Sequence, residues 1–133
     1  MTATVEVSMA PTVLVVDDEP DIRDLARALL ELDGFHVVDD AEDGVQALER
    51  FLALDPPPIP TVVVLYNRMP GFTGLQVAEQ MLQHNPTQVI VLFSAHLDPT
   101  VEQEARALGV AGCVSKRDTT LPPDIIRRLL PAA

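Results

Sequence analysis

The sequence predicts a doubly wound α/β fold: one domain with an open five-stranded parallel sheet covered by helices on both faces. Three observations predict it. Short, almost wholly apolar, β-branched runs alternate five times with segments whose apolar residues recur at helical spacing. The connections between them are tight, which suits right-handed crossovers between parallel strands. At 133 residues the chain is long enough for one core and too short for a second folded unit of ordinary size.

Taken in order, residues 1–11 carry Glu6 and have neither a basic start nor a continuous apolar block, so they read as a tail and not as a signal peptide. Thr12 to Asp17 is the first strand, apolar throughout as in a strand buried on both faces. Pro20 opens a helix with Ile22, Leu25, Leu29 and Leu32 as its apolar face, and Gly34 stops it. Phe35 to Asp39 is the second strand, and Val45, Leu48 and Phe51 mark a second helix that ends before the proline-rich loop Asp55 to Pro60, a stiff connector. Thr61 to Tyr66 is the third strand, followed by a helix with Leu75, Ala78 and Leu82 inward. Gln88 to Phe93 is the fourth strand. Asp98-Pro99 resembles an N-cap, and Val101, Ala105 and Leu108 form a helical face closed by Gly109. Gly112 to Ser115 is a short fifth strand. Ile125, Ile126, Leu129 and Leu130 pair on a last short helix with Arg127 and Arg128 on its other side, so the domain spans 12–130 and residues 131–133 are a tail.

Composition narrows the function. Hydrophobic residues at 47% against 22% charged exclude a disordered chain. A net charge of -11 disfavours nucleic acid and anionic lipid as partners. No run approaches the length needed to span a bilayer, so the cytoplasm is the expected location. Cys113, the single cysteine, allows no internal disulfide and reads as a small apolar side chain. His36, His84 and His96 have no partner at metal-ligand spacing and read as surface or loop residues. Neither nucleotide nor flavin is expected, since the chain has no glycine-rich phosphate loop, and no Ser/His/Asp set stands at plausible positions.

In open parallel sheets the site lies at the carboxyl ends of the strands. That rule selects Asp17, Asp18 and Glu19 after the first strand, Tyr66 at the end of the third, Ser94 after the fourth and Lys116 after the fifth. The three acids suit either a helix start favoured by the macrodipole or a metal site. Lys116 suits either a neutralising ion pair or a cation for phosphate, and Ser94 either a strand-end cap or a hydrogen-bond donor.

Val-Val-Asp17-Asp18-Glu19-Pro20, Arg68-Met-Pro70-Gly71 with Gly74-Leu75, Ser94-Ala95 and Gly109-Val-Ala-Gly112-Cys-Val-Ser-Lys116 together resemble the receiver domain of bacterial response regulators. The resemblance covers roughly residues 12 to 130. It implies a flavodoxin-like, CheY-like (βα)5 fold with strand order 2-1-3-4-5, which accepts a phosphoryl group from a histidine kinase. By that resemblance Asp18 is the direct Mg²⁺ ligand, Asp17 a water-mediated one and Arg68 a ligand through its backbone carbonyl. Ser94 donates to the phosphoryl group, small Ala95 leaves a path to it, and Lys116 supplies positive charge. Arg68 and His96 flank the mouth of such a pocket.

Three positions depart from that pattern. The acceptor position is Tyr66, where the family has an aspartate. A tyrosine hydroxyl is neutral at neutral pH and neither attacks phosphorus nor binds a hard cation readily. Asn67 is no substitute, because adjacent strand residues point to opposite faces and an amide is a poor nucleophile. Cys113 stands where an aromatic ring swings inward with Ser94 on activation, and Arg117 stands where a proline commonly follows the lysine. The sequence therefore predicts a stand-alone pseudo-receiver, not an enzyme. It would bind a histidine kinase, phosphotransferase or output protein without aspartyl phosphorylation, and bind Mg²⁺ weakly. The alternative is an active phosphotransfer receiver in which Asp17 or Asp18 accepts the group with Mg²⁺. A homodimer through helix four, strand five and helix five is a further expectation, Glu102 and Glu104 meeting Arg127 or Arg128 of a second copy.

Overall fold

Five strands, β1 (Thr12–Val16), β2 (His36–Ala41), β3 (Val62–Tyr66), β4 (Val89–Ser94) and β5 (Gly112–Ser115), form one parallel sheet in the order β2-β1-β3-β4-β5. The structure is a computed structural model and describes residues 11–54, 61–67, 72–94, 99–115 and 126. Between the strands lie helices α1 (Pro20–Leu32), α2 (Gly44–Ala53), α3 (Gly74–His84) and α4 (Pro99–Leu108). The doubly wound sheet expected from the sequence, with its strand order, is the observed one. Among the described residues no helix is long and apolar enough to cross a membrane.

The near-continuous apolar strands fill two cores, one on each face of the sheet. Leu14, Val16, Val63, Leu65, Ile90 and Leu92 point to one face, where Ala47 and Phe51 of α2, Val77, Ala78 and Met81 of α3 and Ala105 of α4 cover them. Val13, Val15, Val62, Val64, Val91 and Phe93 point to the other, under Ala26 and Leu30 of α1 and the helical, fully buried Ile126. Ile126 is the one described residue of the last helix expected around 125–130; its neighbours there, the loop 55–60 and the tail up to residue 10 lie outside the described residues.

Helix ends follow local chemistry. Pro20 occupies the first turn of α1. Beyond its last turn Gly34 adopts φ 92°, so that Phe35 N–H reaches Leu30 O (3.0 Å) and Gly34 N–H reaches Glu31 O (3.1 Å). Gly109, at φ 101°, ends α4 in the same way, with Val110 N–H on Ala105 O at 3.0 Å. Asp43 caps α2 by accepting from Gln46 N–H, and Thr73 with Gln76 forms a reciprocal capping box on α3.

Two expectations about faces are corrected. The stripe Ile22, Leu25, Leu29, Leu32 is not the buried face of α1, since Leu25 is 40% and Leu32 86% exposed while Ala26 and Leu30 are fully buried. In α2 the expected Leu48 and Phe51 do pack on the core, with Ala47 beside them, and only Val45 is exposed. On α1 two apolar stripes overlap, and the one with small Ala26 lets the helix axis approach the sheet valines Val13, Val15, Val62 and Val64. Strand bounds shift by a residue or two. β2 begins at His36 and runs to Ala41, Ser94 is the last residue of β4 rather than the first after it, and Pro11 already belongs to the sheet through its carbonyl, which accepts from His36 N–H at 2.9 Å.

The edge strand β2 carries a feature that periodicity does not reveal. A register shift between Val13 and Leu14 opposes Val37 and then Asp39 to β1. Arg27 of α1 donates to Val37 O (3.2 Å) and pairs with Asp40 (3.4 Å), and Arg50 of α2 donates to Asp40 O (3.1 Å) and pairs with Asp39 (3.5 Å). Arg23 adds a looser pair to Asp40 at 3.8 Å. Arginines from both faces thus cover the backbone and carboxylates of an edge that would otherwise present unpaired groups.

Candidate functional site at the strand ends

Register brings the expected residues to one rim. Val16, the last residue of β1, pairs with Leu65, and Tyr66 pairs with Phe93. Ser94 pairs with Ser115. Asp17, Tyr66, Ser94 and Ser115 therefore stand at successive positions along the carboxyl edge of the sheet, as the strand-end rule required. Strand alternation puts Tyr66 on the face of Val62 and Val64, the α1 face, and puts Asp17 on the face of Val13 and Val15, the same one. Tyr66 is half-buried, and Ser94 is buried.

The β1–α1 loop is a built acidic turn. Asp17 is 4% exposed, its N–H donates to Ala41 O (3.0 Å), and its Oδ1 accepts from Glu19 N–H (3.0 Å). Its carbonyl accepts from the Arg23 guanidinium at 2.7 Å. Asp18 and Glu19 are exposed, and carboxylate oxygens of all three acids lie within 4.8 Å of one another. An all-oxygen set of that size has the donor chemistry a hard divalent cation takes. The residues thus fit Mg²⁺ from the β1 side, and β3 ends beside them on the phenol Tyr66. Arg68, Ala95 and Lys116, together with His96 and Arg117, lie outside the described residues.

What holds Tyr66 in place was missed from the sequence. Asn67 N–H donates to Phe93 O (2.8 Å), Asn67 O accepts from Gly74 N–H (2.8 Å), and Asn67 Oδ1 accepts from Leu75 N–H (3.3 Å). The first turn of α3 is therefore fastened to the residue beside Tyr66. A Cβ on Gly74 would stand 2.7 Å from Asn67 Cα, 2.8 Å from Tyr66 O and 2.9 Å from Leu92 Cδ1, so only glycine permits this approach. The sequence signal was there in the glycine three residues beyond Gly71, but nothing local says which backbone it meets.

Cys113 in β5 is half-buried and packs against the core beneath α4. Burial raises its thiol pKa above the ordinary range, Glu102 raises it further, and Arg106 opposes both. Glu102 lines the small cleft at Cys113, whereas Glu104 faces the α3 side of α4, so the two acids expected to act together at a dimer interface lie on different sides of the helix.

The family described as response regulator receiver domain matches residues 13–122. The probable transcriptional regulatory protein NarL of Mycobacterium tuberculosis is 35% identical over 122 residues, covering 91% of this chain and 54% of that protein. The response regulator GacA of Pseudomonas syringae pv. syringae is 34% identical over 106 residues, covering 78% of this chain and 47% of that protein. The chain spans about half the length of these relatives. The solved signal receiver domain of NarL from Mycobacterium tuberculosis superposes with a TM-score of 0.78 at 32% identity, covering 90% of this chain and 96% of that one. A chain of the CheX-CheY-BeF3-Mg+2 complex from Borrelia burgdorferi superposes with a TM-score of 0.81 at 18% identity, over 94% of this chain and 90% of that one, a likeness of fold.

Proposed function

The chain belongs to the response regulator receiver domain family, and from that premise we propose that it is a pseudo-receiver, a cytoplasmic binding module of a two-component or phosphorelay pathway that works without aspartyl phosphorylation. The observation that carries the reading is Tyr66 at the last position of β3, on the same sheet face as Asp17. A phenol there offers no acyl phosphate and no third carboxylate. Mg²⁺ binding by Asp17 and Asp18 is correspondingly weak, and the chain itself carries out no phosphoryl transfer. Cys113 supports the same reading, since it supplies no aromatic ring to report a phosphoryl group. Its partners are a histidine kinase, a phosphotransferase or an output protein, recognised through a surface fixed in one state.

Rescue by Asp17 is disfavoured by its own bonds: the side chain is buried and one oxygen accepts the Glu19 amide, which leaves it poorly placed for in-line attack. Fluorine NMR with Mg²⁺ and beryllofluoride tests the proposal. The wild type is expected to give no protein-bound fluoride signal, and Tyr66→Asp is expected to gain one. Bound fluoride in the wild type refutes the pseudo-receiver reading.

A further inference from the structure

A second recessed surface lies away from the acidic turn. Between α3 and α4 is a groove of about 580 Å³ lined by Leu75, Gln76, Glu79, Glu104, Ala107 and Leu108, with Asn67 and Thr73 closing one end. Its volume lies within the range of ordinary binding sites. Leu75 and Leu108 are half-buried and form an apolar floor, and Ala107 is small and exposed.

The polar lining divides in two. Asn67, Thr73 and Gln76 already bond the first turn of α3: Asn67 Oδ1 accepts from Leu75 N–H, Thr73 Oγ1 from Gln76 N–H, and Gln76 Oε1 from Thr73 N–H. Glu79 and Glu104, one from each helix, are exposed, and neither makes an ion pair among the described residues. Among the described residues the groove has no basic lining residue. A small polar ligand needs several convergent directional groups, and here the oxygens of those three side chains already accept from the first turn of α3. An apolar side chain flanked by cations would meet both the floor and the two carboxylates. A second copy of this chain, at net charge -11, is repelled on approach.

We propose that the α3–α4 groove docks a segment of a partner protein that carries an apolar residue between lysines or arginines. The groove is separate from the acidic turn, so this docking holds whether or not Tyr66 disables phosphorylation. The probe is a short blocked peptide of leucine, alanine and lysine, titrated into the ¹⁵N-labelled full chain. Amide shifts are expected to concentrate on Leu75, Gln76, Glu79, Glu104, Ala107 and Leu108. Each exposed ion pair contributes little, so Glu79→Gln with Glu104→Gln together should weaken binding about five- to tenfold. Ala107→Arg, at an exposed helical position where circular dichroism should show an unchanged fold, should abolish it by filling and repelling. Asp24→Lys on α1 should leave it unchanged. Shifts spread over the acidic α1 surface, affinity insensitive to both groove variants, or self-association through the groove in sedimentation would each overturn the proposal.

Discussion

Gly74→Ala is expected to destabilise the protein although alanine is the better helix former. The added methyl would meet Asn67 Cα at 2.7 Å, Tyr66 O at 2.8 Å and Leu92 Cδ1 at 2.9 Å. Two of those three atoms are backbone and cannot rotate away, so α3 must withdraw and stretch the 2.8 Å bond from Gly74 N–H to Asn67 O. Overpacking of this kind costs about 1–3 kcal/mol, against a helix-propensity gain of at most ~1 kcal/mol. The net loss is about 1–2 kcal/mol, a fall in Tm of roughly 4–8 °C for a domain of this size. Thermal melts by circular dichroism measure the fall. Tyr66 is the only tyrosine and the chain has no tryptophan, so tyrosine emission reports whether the change reaches the site. Unchanged or increased Tm, or a lowered Tm with no change in Tyr66 emission in the native state, would refute the close approach of α3 to the strand end.

Three further outcomes follow from other parts of the molecule. Gly109→Ala has room, the nearest atom being Leu82 Cδ1 at 3.8 Å, but forces φ 101° on an L side chain, so it should cost about 1–2 kcal/mol through the backbone alone and leave Tyr66 emission unaltered in native protein. Asp40→Asn removes the partner of both Arg23 and Arg27, and because these pairs are partly exposed the loss should be only about 1 kcal/mol in urea melts at low salt and smaller at high salt. Cys113 has a thiol pKa raised by burial and by Glu102, so its stabilising contribution is intact below the free-thiol range at about 8.5 and fades as pH rises through the higher folded value. Stability of the wild type should therefore fall more steeply than stability of Cys113→Ala between about 8.5 and that higher value and run parallel to it above, as read from urea midpoints across the alkaline range.

The path from sequence to structure was clearest where the chemistry is local. β5 was read with its observed bounds because glycine and a short apolar run delimit it, and the rim positions of Asp17, Tyr66 and Ser94 followed from strand ends alone. Thr73 and Gln76 also spell out a capping box at their three-residue spacing. The face of α1 was not legible, because Leu25 and Leu32 fit a helical stripe as well as Ala26 and Leu30 do, and only the sheet beneath selects between them. The arginine cover of β2 and the bonds of Asn67 depend on residues as distant in the chain as Asn67 and Phe93 meeting in three dimensions, which no periodicity encodes. At the site, the sequence placed Tyr66 at the end of β3 but did not reveal the backbone bonds of Asn67 beside it.

The central claim is that a receiver scaffold with a phenol at the end of β3 does not take up a phosphoryl group. Intact-mass spectrometry of the wild type after incubation with acetyl phosphate and Mg²⁺ tests it most directly. The expected spectrum is that of the unmodified chain, with Tyr66→Asp labelled in parallel as proof that the donor works; a stoichiometric, hydroxylamine-labile phosphoryl adduct on the wild type would contradict it.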